Sequence, residues 1–171
     1  MGKYNSITRT GKNEDFNLHV QRGFIEGHFA VQKFGFSTSV GTAESPIWNG
    51  GGTYTYPVSA GPVTMVATSG TNTTSNILIQ GLDENYNLQQ ETLTLNATTT
   101  VTSSESYIRI FRTQTTNDVN AGETVNFYLD GNINAVQDPD ENQALMALYT
   151  VPAGYEAYLN QINISSGTVS N

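Results

Sequence analysis

The clearest alternation of apolar and polar positions lies in residues 76–96, NILIQGLDENYNLQQETLTLN. Residues 76–80 have the apolar density of a buried strand. Residues 81–87 carry Gly, Asp and two Asn, which are turn formers. Residues 88–95 then alternate, with Gln89, Glu91, Leu93 and Leu95 on one face and Leu88, Gln90, Thr92 and Thr94 on the other. Strand, turn and strand predict a β-hairpin. A hairpin cannot bury its own apolar face, so the chain around it must supply a second sheet or close a barrel.

The same pattern continues on both sides. Residues 53–68 read as paired strands broken by Pro57 and Gly61-Pro62, with Val63, Met65 and Ala67 on one face. Residues 69–75 are a loop. Residues 96–106 are rich in Thr and Ser, with Val101 as their apolar anchor. Residues 107–112 predict a strand apolar on both faces, and residues 113–123 a polar connection. In residues 124–130, Val125, Phe127 and Leu129 oppose Thr124, Asn126 and Tyr128. Residues 131–143 read as a long acidic loop. Residues 144–151 and 155–164 predict two strands around Pro152-Ala153-Gly154, whose proline and glycine favour reversal. A short helical turn competes only over residues 142–148. Strands at this spacing predict an all-β fold, a β-sandwich or jelly-roll-like body, over residues 45–171.

Residues 1–44 differ. The first 15 are polar and aperiodic, which predicts an extended arm spanning about 50 Å. In residues 16–36, Phe16, Leu18 and Val20 alternate, as do Phe29 and Val31, while Gly23, Gly27 and Gly35 argue against helix. The segment predicts extended chain, either a docking segment or an edge strand of the same domain. Its docking candidates are Phe24, Phe29, Phe34 and Phe36, with Arg22 and Lys33 beside them. Ser45-Pro46 and Gly50-Gly51-Gly52 place a linker and a domain boundary near residues 40–50. Trp48, the single tryptophan, is expected to plug the base of the β body.

Charge sharpens this division. Five of the seven basic residues fall in residues 1–33, which carry +2, while the remaining residues set Arg109 and Arg112 against 12 acids, a net −10. An acidic body disfavours nucleic acid as a partner. Charged residues make up only 13% of the chain, and Thr, Asn, Ser and Gln fill the gap, so ordered β structure fits better than disorder. There are no cysteines, which excludes disulfides and thiolate metal sites. No apolar run is long enough for a membrane-spanning helix, and no secretory core follows Met1, so cytosolic synthesis and no membrane partner are expected.

Signals for chemistry are sparse. His19 and His28, nine residues apart, do not match a helical metal pair. The glycine run lacks the Lys-Ser/Thr of a phosphate loop, and no G-x-S-x-G elbow occurs. No cofactor and no catalytic residues are expected, and the chain reads as a non-enzyme. Asp138, Asp140 and Glu141 form an oxygen-rich loop that could hold Ca²⁺, but their spacing fits no EF-hand and a solvated loop with Asx-type turns is the preferred reading. An acid pair in a cleft would instead suit a glycan depolymerase.

Three stretches carry a family resemblance. They are SPIWNGGGTYTYP at 45–57, IQGLDENYN at 79–87 running into ETLTLN at 91–96, and ALMALYTVPAG at 144–154. Together with residues 23–36 they resemble a family of virion-associated proteins of tailed bacteriophages, abundant in marine phages. The resemblance implies a structural protein located in the virion, whose partners are other capsid or tail proteins and copies of itself. A capsid decoration (cement) protein anchored through its N-terminal arm is the first expectation. A tail or fibre component that binds a host surface or carbohydrate is the alternative, and it calls for aromatics such as Trp48, Tyr86 and Tyr155 at exposed loop tips. Family members continue past a strand equivalent to 162–164, which implies that this chain is truncated.

Overall fold

The computed structural model describes residues 15–117 and 122–167. It divides into two compact units, Met1–Lys33 and Phe34–Asn171.

In the first unit, α1 spans Phe16–Gln21. This corrects the expectation of extended chain for residues 16–21, while residues 24–36 form no helix. Asp15 caps the helix, its Oδ1 accepting the Asn17 N–H at 2.8 Å. The N–H of Gly23 donates to Val20 O and that of Phe24 to His19 O, which closes the C-terminal turn. Asp15 and Gly23 are therefore start and stop signals, where the alternation of Phe16, Leu18 and Val20 suggested a strand.

The second unit is an all-β sandwich. Among the described residues it has seven strands: β1 Gly61–Ala67, β2 Asn76–Leu82, β3 Leu88–Thr94, β4 Val101–Tyr107, β5 Arg109–Thr115, β6 Val125–Leu129 and β7 Asn132–Gln137. One sheet has the order β4-β1-β6-β7 and the other β3-β2-β5, and every pairing is antiparallel. The inward residues Val63, Met65, Phe127 and Tyr107 of the first sheet meet Ile77, Ile79, Leu93 and Ile110 of the second in one buried core. Trp48 and Tyr54 complete it. Trp48 is buried as expected, its indole N–H donating to Gly52 O.

The predicted hairpin is β2 and β3, in the register Ile77↔Leu93 and Ile79↔Glu91. Leu93 points inward, while Gln90, Thr92 and Thr94 are exposed, as their alternation requires. Gly81, expected in the turn, lies inside β2, where the pairing with β5 shifts register. A Cβ there would sit 2.1 Å from Arg109 O and 2.7 Å from the Tyr107 ring, so only glycine lets the β4–β5 corner cross so closely.

That corner also splits a predicted element. Residues 107–112 are not one strand: Tyr107 ends β4, Ile108 bends, and Arg109 begins β5. The chain changes sheets there, which explains why apolar residues occupy both faces. The Thr/Ser-rich segment contributes β4, an edge strand whose inward positions are Ser103 and Tyr107. Residues 131–143 are not all loop, because β7 occupies the first part. Asp130 and Gly131 have φ of 51° and 75° between the paired Leu129 and Asn132, a two-residue hairpin turn that favours Asp-Gly. Residues 53–60 form no strand, and only the second half of the expected pair is regular.

Two further expectations are corrected at the C-terminal side. Residues 144–151 form an irregular connector, with neither a strand nor a helical turn. The connector pairs briefly on both sides: Ala144 N–H donates to Thr113 O, and Asn49 N–H to Leu145 O. Residues 155–164 form no strand, and Tyr158, Leu159, Ile162 and Ile164 are exposed. Their β-forming side chains meet no sheet edge among the described residues.

Polar side chains join the sheets along both flanks. On one, the Glu91 carboxylate of β3 accepts the N–H groups of Ser104 and Glu105 and the Ser104 hydroxyl of β4. On the other, the buried Gln137 of β7 donates to Thr115 Oγ1 of β5 and to Glu141 O, both at 2.7 Å. Partial burial pushes the Glu91 carboxyl up, but those three donors outweigh it and hold the group below its usual range.

Candidate functional site

The register gathers four features at one pole of the sandwich. Gly61 of β1 pairs with Tyr107, Leu82 of β2 with Arg109, and Leu129 with Asn132. The start of β1, the β2–β3 turn, the β4–β5 corner and the β6–β7 turn therefore lie together. Residues 54–60 lead into β1 at the same pole.

Aromatic rings run outward from the core here. Trp48 meets Tyr54 edge-on at 5.1 Å, and Tyr54 meets Tyr56 edge-on at 4.9 Å. The Arg109 guanidinium then lies over both the Tyr56 ring, at 5.3 Å, and the Tyr86 ring, at 5.7 Å. Such cation–π contacts are each worth about 0.5–1 kcal/mol at partly exposed sites. Arg109 is held in place by Nη1, which donates to Pro57 O and Ile108 O at 2.7 Å. Trp48 and Tyr54 are buried, whereas Tyr56 is 50% and Tyr86 37% exposed.

Both exposed tyrosines sit on braced loops. In the β2–β3 turn, Asp83 Oδ1 accepts the N–H groups of Asn85 and Asn87, and Oδ2 accepts the Asn87 side-chain amide. That amide, with the Asn87 and Asn85 N–H groups, holds the Asp83 carboxyl below its usual range. Tyr86 has φ of 62°. A side chain in left-handed backbone costs roughly 1–2 kcal/mol, and Asn on either side would tolerate it better than Tyr. The turn nonetheless places Tyr there, with its N–H donating to Asp83 O and its carbonyl accepting the Ala153 N–H at 2.9 Å. On the second loop, the Asp130 carboxylate accepts the Val58 and Ser59 N–H groups and the Ser59 hydroxyl. The Val58 N–H, followed by the Ser59 hydroxyl, holds the Asp130 carboxyl low. Val58 itself is almost fully exposed.

These carboxylates are engaged as hydrogen-bond acceptors that shape loops. The surface they support presents aromatic faces, one exposed aliphatic side chain and guanidinium N–H donors, a set suited to recognition.

The docking candidates fall on both units. Phe24, Phe29, Phe34 and Phe36 are 65%, 47%, 60% and 50% exposed. Arg22, the C-cap of α1, is exposed, and Lys33 is half-buried. Phe24 meets the buried His19 edge-on at 6.0 Å, and the Phe36 N–H donates to Leu145 O at 3.4 Å. The unit boundary between Lys33 and Phe34 divides the set of six.

The acids of the oxygen-rich loop are not drawn into one cluster. Among the described residues no three His, Cys, Asp or Glu side chains converge to hold a metal. Asp138 Oδ2 accepts from Asn49 Nδ2 at 3.1 Å, Glu141 N–H closes a turn on Asp138 O, and Asp140 takes the positive φ that the turn requires.

Of the loop-tip aromatics expected of a surface binder, Tyr86 and Tyr155 are exposed and Trp48 is not. Sequence reasoning missed Tyr56 and Arg109 as partners of Tyr86. Tyr54-Thr55-Tyr56 was a visible signal, since two tyrosines two apart on extended chain share a side. The approach of Arg109 depends on the β4–β5 corner, which no local pattern marks. No family model, curated protein or solved structure matches the chain.

Proposed function

We propose that this chain is a structural attachment protein of a tailed-phage virion, in the first instance a decoration protein that docks on neighbouring subunits through its N-terminal segment. The observation that carries the proposal is the exposure of Phe24, Phe29, Phe34 and Phe36 together. Four phenylalanines left 47–65% exposed within 13 residues are unfavourable for a solitary chain, since covering the rest of each would gain about 1 kcal/mol. The sandwich has its own core and does not need them. The resemblance of residues 45–57, 79–96 and 144–154 to virion-associated proteins supports the particle as the setting.

The test keeps the full chain and replaces all four phenylalanines with serine. Binding to undecorated particles is expected to weaken by about a hundredfold or more. Undiminished binding, with the thermal midpoint of the sandwich unchanged, overturns the docking role.

A further inference from the structure

We propose that the pole formed by Tyr56, Arg109, Tyr86 and Val58 is a binding site for neutral hexopyranose sugars, a role separate from the docking of the phenylalanine segment. Sugar rings present C–H faces to aromatic rings and hydroxyls to fixed donors, and the pole offers both.

Three observations support the assignment. First, Tyr56 and Tyr86 flank Arg109 and remain 50% and 37% exposed, so both keep accessible surface beside the cation. The two centroids lie no further apart than their distances to Arg109 laid end to end, which is within the span of a short oligosaccharide. Second, Arg109 anchors itself through Nη1 alone, and no described residue accepts a hydrogen bond from its Nε or Nη2. Those donors can meet hydroxyl or ring oxygens. Third, the site is braced before any ligand arrives. The Asp83 and Asp130 cages fix both tyrosine loops, and Tyr86 is kept in left-handed backbone while part of it stays exposed. Rigid aromatic platforms lose little freedom on binding, which favours recognition. Strain retained at an exposed aromatic points in the same direction.

Charge selects the class of sugar. Residues 34–171 carry a net −10, and Arg109 is one of only two cations among them. Acidic glycans are repelled by this body, whereas neutral ones are not.

The test is saturation-transfer NMR on the full chain with maltoheptaose, cellopentaose and mannopentaose, and with oligogalacturonate as the acidic arm. At least one neutral probe is expected to bind, with Kd of about 1 mM or tighter. Tyr86→Asn keeps a residue suited to positive φ and removes the ring, and it should weaken binding by about tenfold. Tyr56→Ser should do the same, and Tyr86→Phe should stay within about threefold of the parent. An unchanged thermal midpoint separates ring loss from unfolding. No transfer to any neutral probe, tighter binding of oligogalacturonate, or indifference to both ring removals overturns the proposal. Loss of particle docking in the phenylalanine variant leaves these readouts unmoved, so the two roles fail separately.

Discussion

Tyr54 is sealed between Trp48 and Tyr56, and burial pushes its phenol up to about 12. An unfolded tyrosine loses its proton near 10. Between these values the unfolded chain gives up a proton that the folded chain retains. The stability from Tyr54 is therefore complete below about pH 10 and disappears as pH rises through about 12. Burial, reinforced by the charges of Glu91 and Glu105, raises Tyr107 as well. Urea midpoints are expected to hold up to pH 10 and fall steeply above it, and Tyr54→Phe should shift that fall to higher pH. An unchanged alkaline limb in Tyr54→Phe would show that Tyr54 does not titrate with unfolding. At this scale the sequence was uneven. The burial of Trp48 was legible because one large apolar ring beside a polar Gly run has few other places to go. Tyr54 and Tyr86 share a residue type and a turn-rich context, yet one is core and the other surface. Only the register of distant strands separates them.

Among elements, those legible in sequence are the ones whose inward positions are apolar and alternate. β6 shows this in Val125, Phe127 and Leu129, and β2 in Ile77 and Ile79. β7 was hidden because amides fill inward positions: Asn134 donates to Thr55 O, and Gln137 to Thr115 and Glu141. A buried amide with partners is stable in the fold but looks like loop in a pattern of polarity. β4 was hidden because the Ser103 hydroxyl accepts the Val63 N–H, so a polar residue occupies a core-facing place. The opposite error occurred at residues 155–164, where strand propensity is high but the segment pairs with no strand among the described residues, and propensity alone does not make a sheet. The Asp130-Gly131 turn was a further overlooked local signal. Gly131→Val forces a β-branched residue to φ of 75° and is expected to cost about 2 kcal/mol in urea unfolding. A cost near zero would mean that the β6–β7 turn relaxes freely.

For the molecule as a whole, an all-β sandwich was legible because hairpin-length segments and low charge allow few other folds. Which strand lies beside which was not, since strand order depends on contacts far apart in the chain. Apart from the β2–β3 and β6–β7 hairpins, every described strand pairing skips over at least one intervening strand. That order has a kinetic consequence. β1 can do nothing alone: its partners β4 and β6 begin at residues 101 and 125. The β2–β3 hairpin can close early but has no face to cover it until β5 and the second sheet arrive. Closing such loops costs entropy before any contact repays it, so refolding should take milliseconds to seconds, as is usual for non-local β topologies. Stopped-flow refolding followed by Trp48 fluorescence measures this directly, because Trp48 packs only once the strands around it are in place. A microsecond phase carrying the full Trp48 signal would contradict it. On a ribosome the same order means that β1 waits, unpaired, while the next 33 residues are synthesised before β4 begins, a long interval for an exposed strand.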